Sequence, residues 1–160
     1  RLGILWKSIR FNGYVDELRQ AAKPFDMAIL DMQIKNSDDV ADQLRALHGK
    51  IDAIWLVPDP LLIKAEILPM FVQYSRSNRM PLFVPTAGLA DQGATAAIGP
   101  TFREIGRQAG IAARKALNHQ LQDDKIYPAQ VKTVINKAIA AEVGLLISET
   151  VLKNAAGETP

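Results

Sequence analysis

The 160 residues contain no cysteine. Disulfides, thiol catalysis and cysteine-ligated metals are therefore excluded, although this says little about compartment. No run of about 18 apolar residues occurs, so nothing reads as a membrane-spanning helix. The glycine signatures of catalytic and nucleotide sites are missing too: there is no G-x-G-x-x-G, no G-x-x-x-x-G-K-[ST] and no G-x-S-x-G. Only two histidines are present. His48 and His119 each fall at the end of a predicted helix, where a helix dipole favours them, and no third ligand stands at metal spacing to either. The chain also lacks a start methionine and a signal peptide. It opens on Arg1-Leu2-Gly3-Ile4, already strand-like, which predicts a processed or excised piece of a longer chain.

What is present is the composition of a globular domain, 48% hydrophobic and 22% charged, enough for one ordinary core. The net charge is +2 with lysine and arginine dispersed, which argues against a nucleic-acid groove. Apolar segments and helical stripes alternate. Strands are predicted over 2–6, 27–30, 51–57, 81–85 and 95–98, with a further strand over 130–135. A first helix carries Tyr14, Val15, Leu18, Ala21 and Ala22 at helical spacing and closes at Lys23-Pro24. A second starts at Ser37-Asp38-Asp39, buries Val40, Leu44 and Leu47, and ends at Gly49. A third is predicted over 61–74, with Ile63, Ile67, Met70 and Phe71 inward and Pro69 kinking or splitting it. A polar break over 76–80 follows. A long amphipathic helix over 102–118 and short helices over 137–143 and 149–155 complete the pattern, with frayed last residues.

This repeated strand–helix beat predicts an α/β fold, a mostly parallel sheet with helices on both faces and strand order 2-1-3-4-5. The central strand is Ile51-Asp52-Ala53-Ile54-Trp55-Leu56-Val57, stopped by Pro58, which cannot donate to a ladder. Ligands of open α/β sheets bind outside the carboxyl ends of the strands, at the switch point in strand order. That point lies between strands one and three. It brings together the loop over 7–13, which ends in the turn signal Asn12-Gly13, and the loop over 58–60. Asp59 there either caps a helix starting near Leu61 or holds a ligand. A phospho-acceptor role fits poorly, because the first strand ends Leu-Trp-Lys-Ser without an acidic pair and no lysine follows the later strands. Trp6 and Trp55 sit on the neighbouring first and third strands and read as core. Trp6, close to its strand's end, is the better ligand candidate. Ser8, Asn12 and Gly13 draw interest only from standing over the switch point, where a small polar loop and a helix start can hold a carboxylate through backbone N–H groups.

The segment from Ile51 to Asp59 resembles the "vDAiyvptD" stretch of ABC-transporter substrate-binding proteins, in the family that includes tryptophan- and phenylalanine-binding members. Other pieces follow in register. Residues 1–6 resemble "kriGvly", Pro81-Leu82-Phe83-Val84 resembles "iPvf", and 93–99 are similar to "Gal-a-t-vg". Residues 102–110 are similar to "yyelGrqtG", and 134–145 to "vvNlktAkalGi". The resemblance implies a type I periplasmic-binding fold of two lobes, of which residues 1–100 would be the second ligand-binding lobe. Residues 101–120 would be a crossover helix packing on an absent first lobe, and 121–160 a return strand and closing helices. It implies Ser8, Asn12, Gly13, Asp59, Pro85 and Thr86 as ligand-binding positions. Three positions depart from the family pattern. Arg10 replaces an acid, Gly13 a serine and Pro100 a frequent aspartate. Arg10 in the mouth favours a more anionic solute.

The resulting expectation is an exported, periplasmic or lipid-anchored solute-binding component of an ABC importer. It would hold a small polar molecule, an amino acid or related anion, without catalysis or cofactor, and would dock on a membrane permease. The alternatives are a ligand-sensing domain of a signalling protein and a small flavodoxin-like enzyme or receiver. On the long helix, Phe102, Ile105, Ala109, Ala112, Ala113, Ala116 and Leu117 form one stripe. In the absence of a first lobe it should pack on a second copy of the chain or fold back onto its own lobe, with Arg103, Arg107 and Arg114 outside the contact.

Overall fold

A computed structural model describes residues 1–121, 126–155 and 157–159. A seven-stranded sheet runs through it in the order β2-β1-β3-β4-β5-β6-β7. These strands are β1 (Leu2–Trp6), β2 (Ile29–Gln33), β3 (Ala53–Leu56), β4 (Leu82–Val84), β5 (Ala96–Gly99), β6 (Lys132–Asn136) and β7 (Gly157–Thr159). The first five are mutually parallel, β6 runs antiparallel to β5, and β7 is parallel to β6. The predicted order 2-1-3-4-5 is therefore the observed one. Residues 157–159, expected to fray, instead pair with Val134–Asn136.

The helices are α1 (Asn12–Ala22), α2 (Asp39–Leu47), α3 (Leu68–Ser77), α4 (Ala87–Ala90), α5 (Phe102–Leu117), α6 (Lys137–Glu142) and α7 (Glu149–Asn154). Strand alternation assigns their faces. Gly3 lies against Ile51 and Leu47 at the end of α2, close enough that a Cβ would sit 2.6 Å from Ile51 Cδ1. Ile4, Trp6 and Trp55 point to the opposite face, where α1 supplies Tyr14 to Trp55. Val40, Leu44, Leu47, Ile54, Leu56, Leu62, Phe71 and Leu82 belong to one core cluster with Ile4 and Leu5, all of them essentially buried.

Three local expectations need correction. The Asn12-Gly13 pair is not a turn; a 3-10 turn over Ile9–Phe11 comes first, and Asn12 begins α1. The third helix starts at Leu68, not Leu61. Pro69 stands in its first turn, where the missing N–H has no intrahelical partner to lose, so proline starts this helix and does not kink it. Residues 61–67 form turns hydrogen-bonded back to Asp59 and Lys64. They bury Leu62 and Ile67 but leave Ile63 exposed, so the apolar run reports burial without helical period.

The third concerns α5, and only the expectation that it folds back onto its own lobe, since packing on a second copy is not a property of a single chain. None of its residues is buried, and Phe102 and Leu117 are each 81% exposed. Ile105 and Ala109 face solvent, as do Arg103, Arg107 and Arg114. The helix does not fold back onto its own lobe.

Candidate functional site

The carboxyl ends of β1, β3 and β4 lie along one edge of the sheet, with β3 in the middle. Asp59 stands at the centre of that edge and is 2% exposed. Its carboxylate accepts three backbone N–H groups: Lys7 at 3.0 Å and Ser8 at 2.8 Å on one oxygen, Leu61 at 2.9 Å on the other. Two loops more than 50 residues apart in sequence are thus fastened to a single side chain. Burial pushes this carboxyl up. The donors Ser8, Leu61 and Lys7, helped by the Lys7 charge, outweigh that effect and hold it below the ordinary carboxylate range.

Leu61 N–H is the cap of a turn, and Lys7 and Ser8 are the β1–α1 loop itself. With three donors already aimed at it and almost no exposed surface, Asp59 acts on the site through the loops it fixes. Along this edge it is the loops, and not the Asp59 carboxylate, that present accessible surface.

Ser8 is half-buried and Gly13 exposed, in the first turn of α1. A Cβ at Gly13 would meet nothing within 4 Å, so packing does not require glycine there. The Asn12 and Arg10 side chains lie outside the described structure, although Asn12's backbone opens α1. At the N-cap of α1 stands Phe11, whose side chain accepts no hydrogen bond, and the first turn has no acid. Phe11 instead packs edge-on against Tyr14, centroids 5.5 Å apart. Pro85 and Thr86 follow β4 on the same edge, about 10 Å from β1 at two strand spacings. Both are half-buried and line a pocket of about 210 Å³ with Gly99, Pro100 and Lys132. The structure therefore joins Ser8 and Asp59 directly and sets Pro85 and Thr86 along the same rim.

Trp6 has little surface left for a ligand. It is 7% exposed, and its Nε1–H donates to Asp31 Oδ2 at 3.0 Å. Asp31 in turn pairs with Arg19 of α1. Trp55 donates to the Tyr14 hydroxyl at 2.8 Å. Sequence reasoning placed Tyr14 on the apolar stripe of the first helix without a polar partner and passed over Asp31, although an acid directly after an apolar strand was a visible signal that something must satisfy it. It also passed over Thr95, which is buried and accepts the Leu82 N–H at 3.0 Å, fixing β4 to the start of β5. Among the described residues, no group of three or more histidines and acids could hold a metal ion.

The sequence profile of the ABC transporter substrate binding protein family matches residues 5–159. The chain belongs to that family. A curated relative of this substrate-binding chain is the tyrosine-binding protein of Clostridioides difficile (strain R20291), 25% identical over 119 residues, 73% of this chain and 34% of that one. Three solved structures share the fold along 99% of the chain. One is an ABC domain in complex with L-Trp from Streptococcus pneumonia (TM-score 0.77, 23% identity, 56% of that chain). Another is the ligand-free, open form of a substrate binding protein with adhesive properties from Clostridium difficile (0.71, 22%, 54%). The third is a conserved domain protein from Vibrio cholerae (0.79, 21%, 54%). This substrate-binding chain thus spans about a third of the curated relative and a little over half of each solved neighbour.

Proposed function

We propose that the chain is the second lobe of a two-lobed solute-binding protein of an ABC importer. Its β1, β3 and β4 loops form one wall of an interlobe cleft that holds an amino acid or a related small anion. The observation that carries this reading is the convergence of the Ser8 and Pro85-Thr86 loops on one sheet edge, with Asp59 locking the first of them. The α1 helix starts at this edge without an acid in its first turn, which leaves its positive end available to a ligand carboxylate. Two relatives carry amino-acid ligands in their names, L-Trp and tyrosine. The exposed stripe of α5 is the surface on which the first lobe packs; residues 1–100 grip the ligand, and 101–160 cross out and return. Binding needs no covalent step and no cofactor. The protein works outside the cytoplasmic membrane, periplasmic or lipid-anchored, and hands its solute to a membrane permease.

Calorimetric titration of the full-length protein with L-tryptophan, L-tyrosine, L-phenylalanine and a dicarboxylate such as succinate tests this. One of them is expected to bind saturably at one site per protein, and to be recovered unchanged. Chemical conversion of the bound compound, or absence of saturable heat with all four, contradicts the reading.

A further inference from the structure

The loop over 7–13 has two ends, and the chain of β3 reaches both. Asp59, just past β3, holds the first end through the N–H groups of Lys7 and Ser8. At the second end the loop becomes α1, and the helix brings no side-chain cap of its own, because its N-cap residue is Phe11. Inside the loop, the Phe11 N–H donates to the Ser8 carbonyl at 2.9 Å. Ile9, between them, is 77% exposed. Local contacts therefore do little to hold the second end in place. A side chain of β3 can.

Tyr14 is the third residue of α1, and its hydroxyl accepts the Trp55 Nε1–H at 2.8 Å. Trp55 stands on β3, four residues before Asp59, with Ile4 of β1 and Phe83 of β4 beside it in register. A half-buried indole N–H needs an acceptor, and here α1 supplies it. Phe11 packs edge-on against the Tyr14 ring, their planes at 87°. Phe11, Tyr14 and Trp55 all pack against the main core cluster. A continuous line of contacts thus runs from the central strand to the residue at which the helix starts. The other indole does something different. Trp6 donates to Asp31, and Asp31 pairs with Arg19, which ties α1 to the sheet five residues beyond Tyr14 and away from the loop.

We propose that Trp55 and Tyr14 are positioning residues, a second anchor that fixes the end of the loop over 7–13 as Asp59 fixes its beginning. One strand then sets both ends of the surface that meets ligand. The Tyr14 hydroxyl is the part of this anchor that a plain aromatic ring cannot replace. That the loop meets ligand rests on the proposed function; that it is anchored at both ends does not.

Amide hydrogen exchange and calorimetry on the full-length protein test the anchor. Tyr14→Phe removes one oxygen and keeps the ring on Phe11. It is expected to speed exchange of the Phe11 amide by about 2- to 10-fold, the effect of losing one neutral hydrogen bond. Binding of the amino acid or anion that the parent takes should weaken by a similar factor. The Lys7 and Ser8 amides, held by Asp59, should keep their protection. Trp55→Phe should behave alike, and the double variant should be no worse than either single one, because both changes remove the same bond. Asp31→Asn, which weakens the Arg19 link, should leave Phe11 exchange and ligand affinity at the parent's values. Parent-like exchange at Phe11 in Tyr14→Phe overturns the proposal, and so does faster exchange with parent-like affinity. An additive double variant overturns it as well, as does equal loosening in Asp31→Asn, since α1 as a whole would then be what moved. A parent that binds none of the four titrated compounds fails the proposed function alone, because exchange is read without ligand and still decides whether the anchor exists.

Discussion

Asp59→Ala is expected to lower the melting temperature by about 6–12 °C and to abolish detectable ligand binding. The three N–H groups of Lys7, Ser8 and Leu61 converge on a side chain that is almost wholly buried. Removing the acceptor leaves three part-buried donors without their partner. Losing hydrogen bonds to a charged group costs about 1.5–3 kcal/mol each, but the loops relax and water enters, so about 3 kcal/mol in total is the working figure. At this chain length each kcal/mol moves the melting point by about 2–4 °C. Asp59→Asn keeps the shape but turns an NH₂ group toward donors, so it should recover only part of the loss. The pH dependence carries a sign. Because the folded carboxyl titrates below its ordinary value, its contribution is complete above the ordinary carboxylate range and is lost as pH falls through the lower, folded value. The stability gap between parent and Asp59→Ala should therefore be constant near neutrality and close in strong acid. Thermal melts across that range measure it. A gap that widens toward acid would mean that the group is held protonated, against the geometry.

Gly99→Ala is expected to be similarly damaging for a different reason. A Cβ at Gly99 would stand 2.1 Å from the carbonyl oxygen of Pro85 and 3.2 Å from its carbonyl carbon. The obstacle is backbone and cannot rotate away, in contrast to Gly3, where the blocking atom is the tip of Ile51. The ends of β4 and β5 must separate, at about 3 kcal/mol, the upper part of the range for overpacking a tight site. Pro85 and Thr86 stand on that rim, so ligand affinity should fall beyond what the lost stability explains. Chemical denaturation together with titration of the folded variant separates the two effects. Wild-type stability in Gly99→Ala would show that the strands part freely at this point.

How much of this was legible in the sequence depends on range. The β1 strand and the order of the first five strands followed from local apolar runs and the parallel-sheet rules, because burial on both faces leaves continuous hydrophobic segments such as Ile51 to Val57. The start of α3 was not legible in the same way. Leu62 and Ile67 are apolar because turns press them into the core, and a hydrophobic residue does not report which backbone shape buries it. Pro69 was the better signal, read as an interruption when it marks a beginning. At the site, Pro58 correctly located the strand end and hence Asp59. That Asp59 would be consumed by Lys7 and Ser8 depends on chain segments more than 50 residues away, which no local pattern encodes. The Gly99–Pro85 approach is hidden for the same reason.

The central claim is that ligand meets the loops at the ends of β1, β3 and β4. Amide chemical-shift mapping on the isotope-labelled full-length protein, titrated with whichever amino acid or anion binds calorimetrically, reads that surface directly. The account predicts that the largest shifts fall on Ser8 to Tyr14 and on Thr86 to Gly88, with the α2–α3 side of the sheet unmoved. Shifts confined to the groove beside Leu68, Val72 and Arg76, with the Ser8 loop silent, would contradict it.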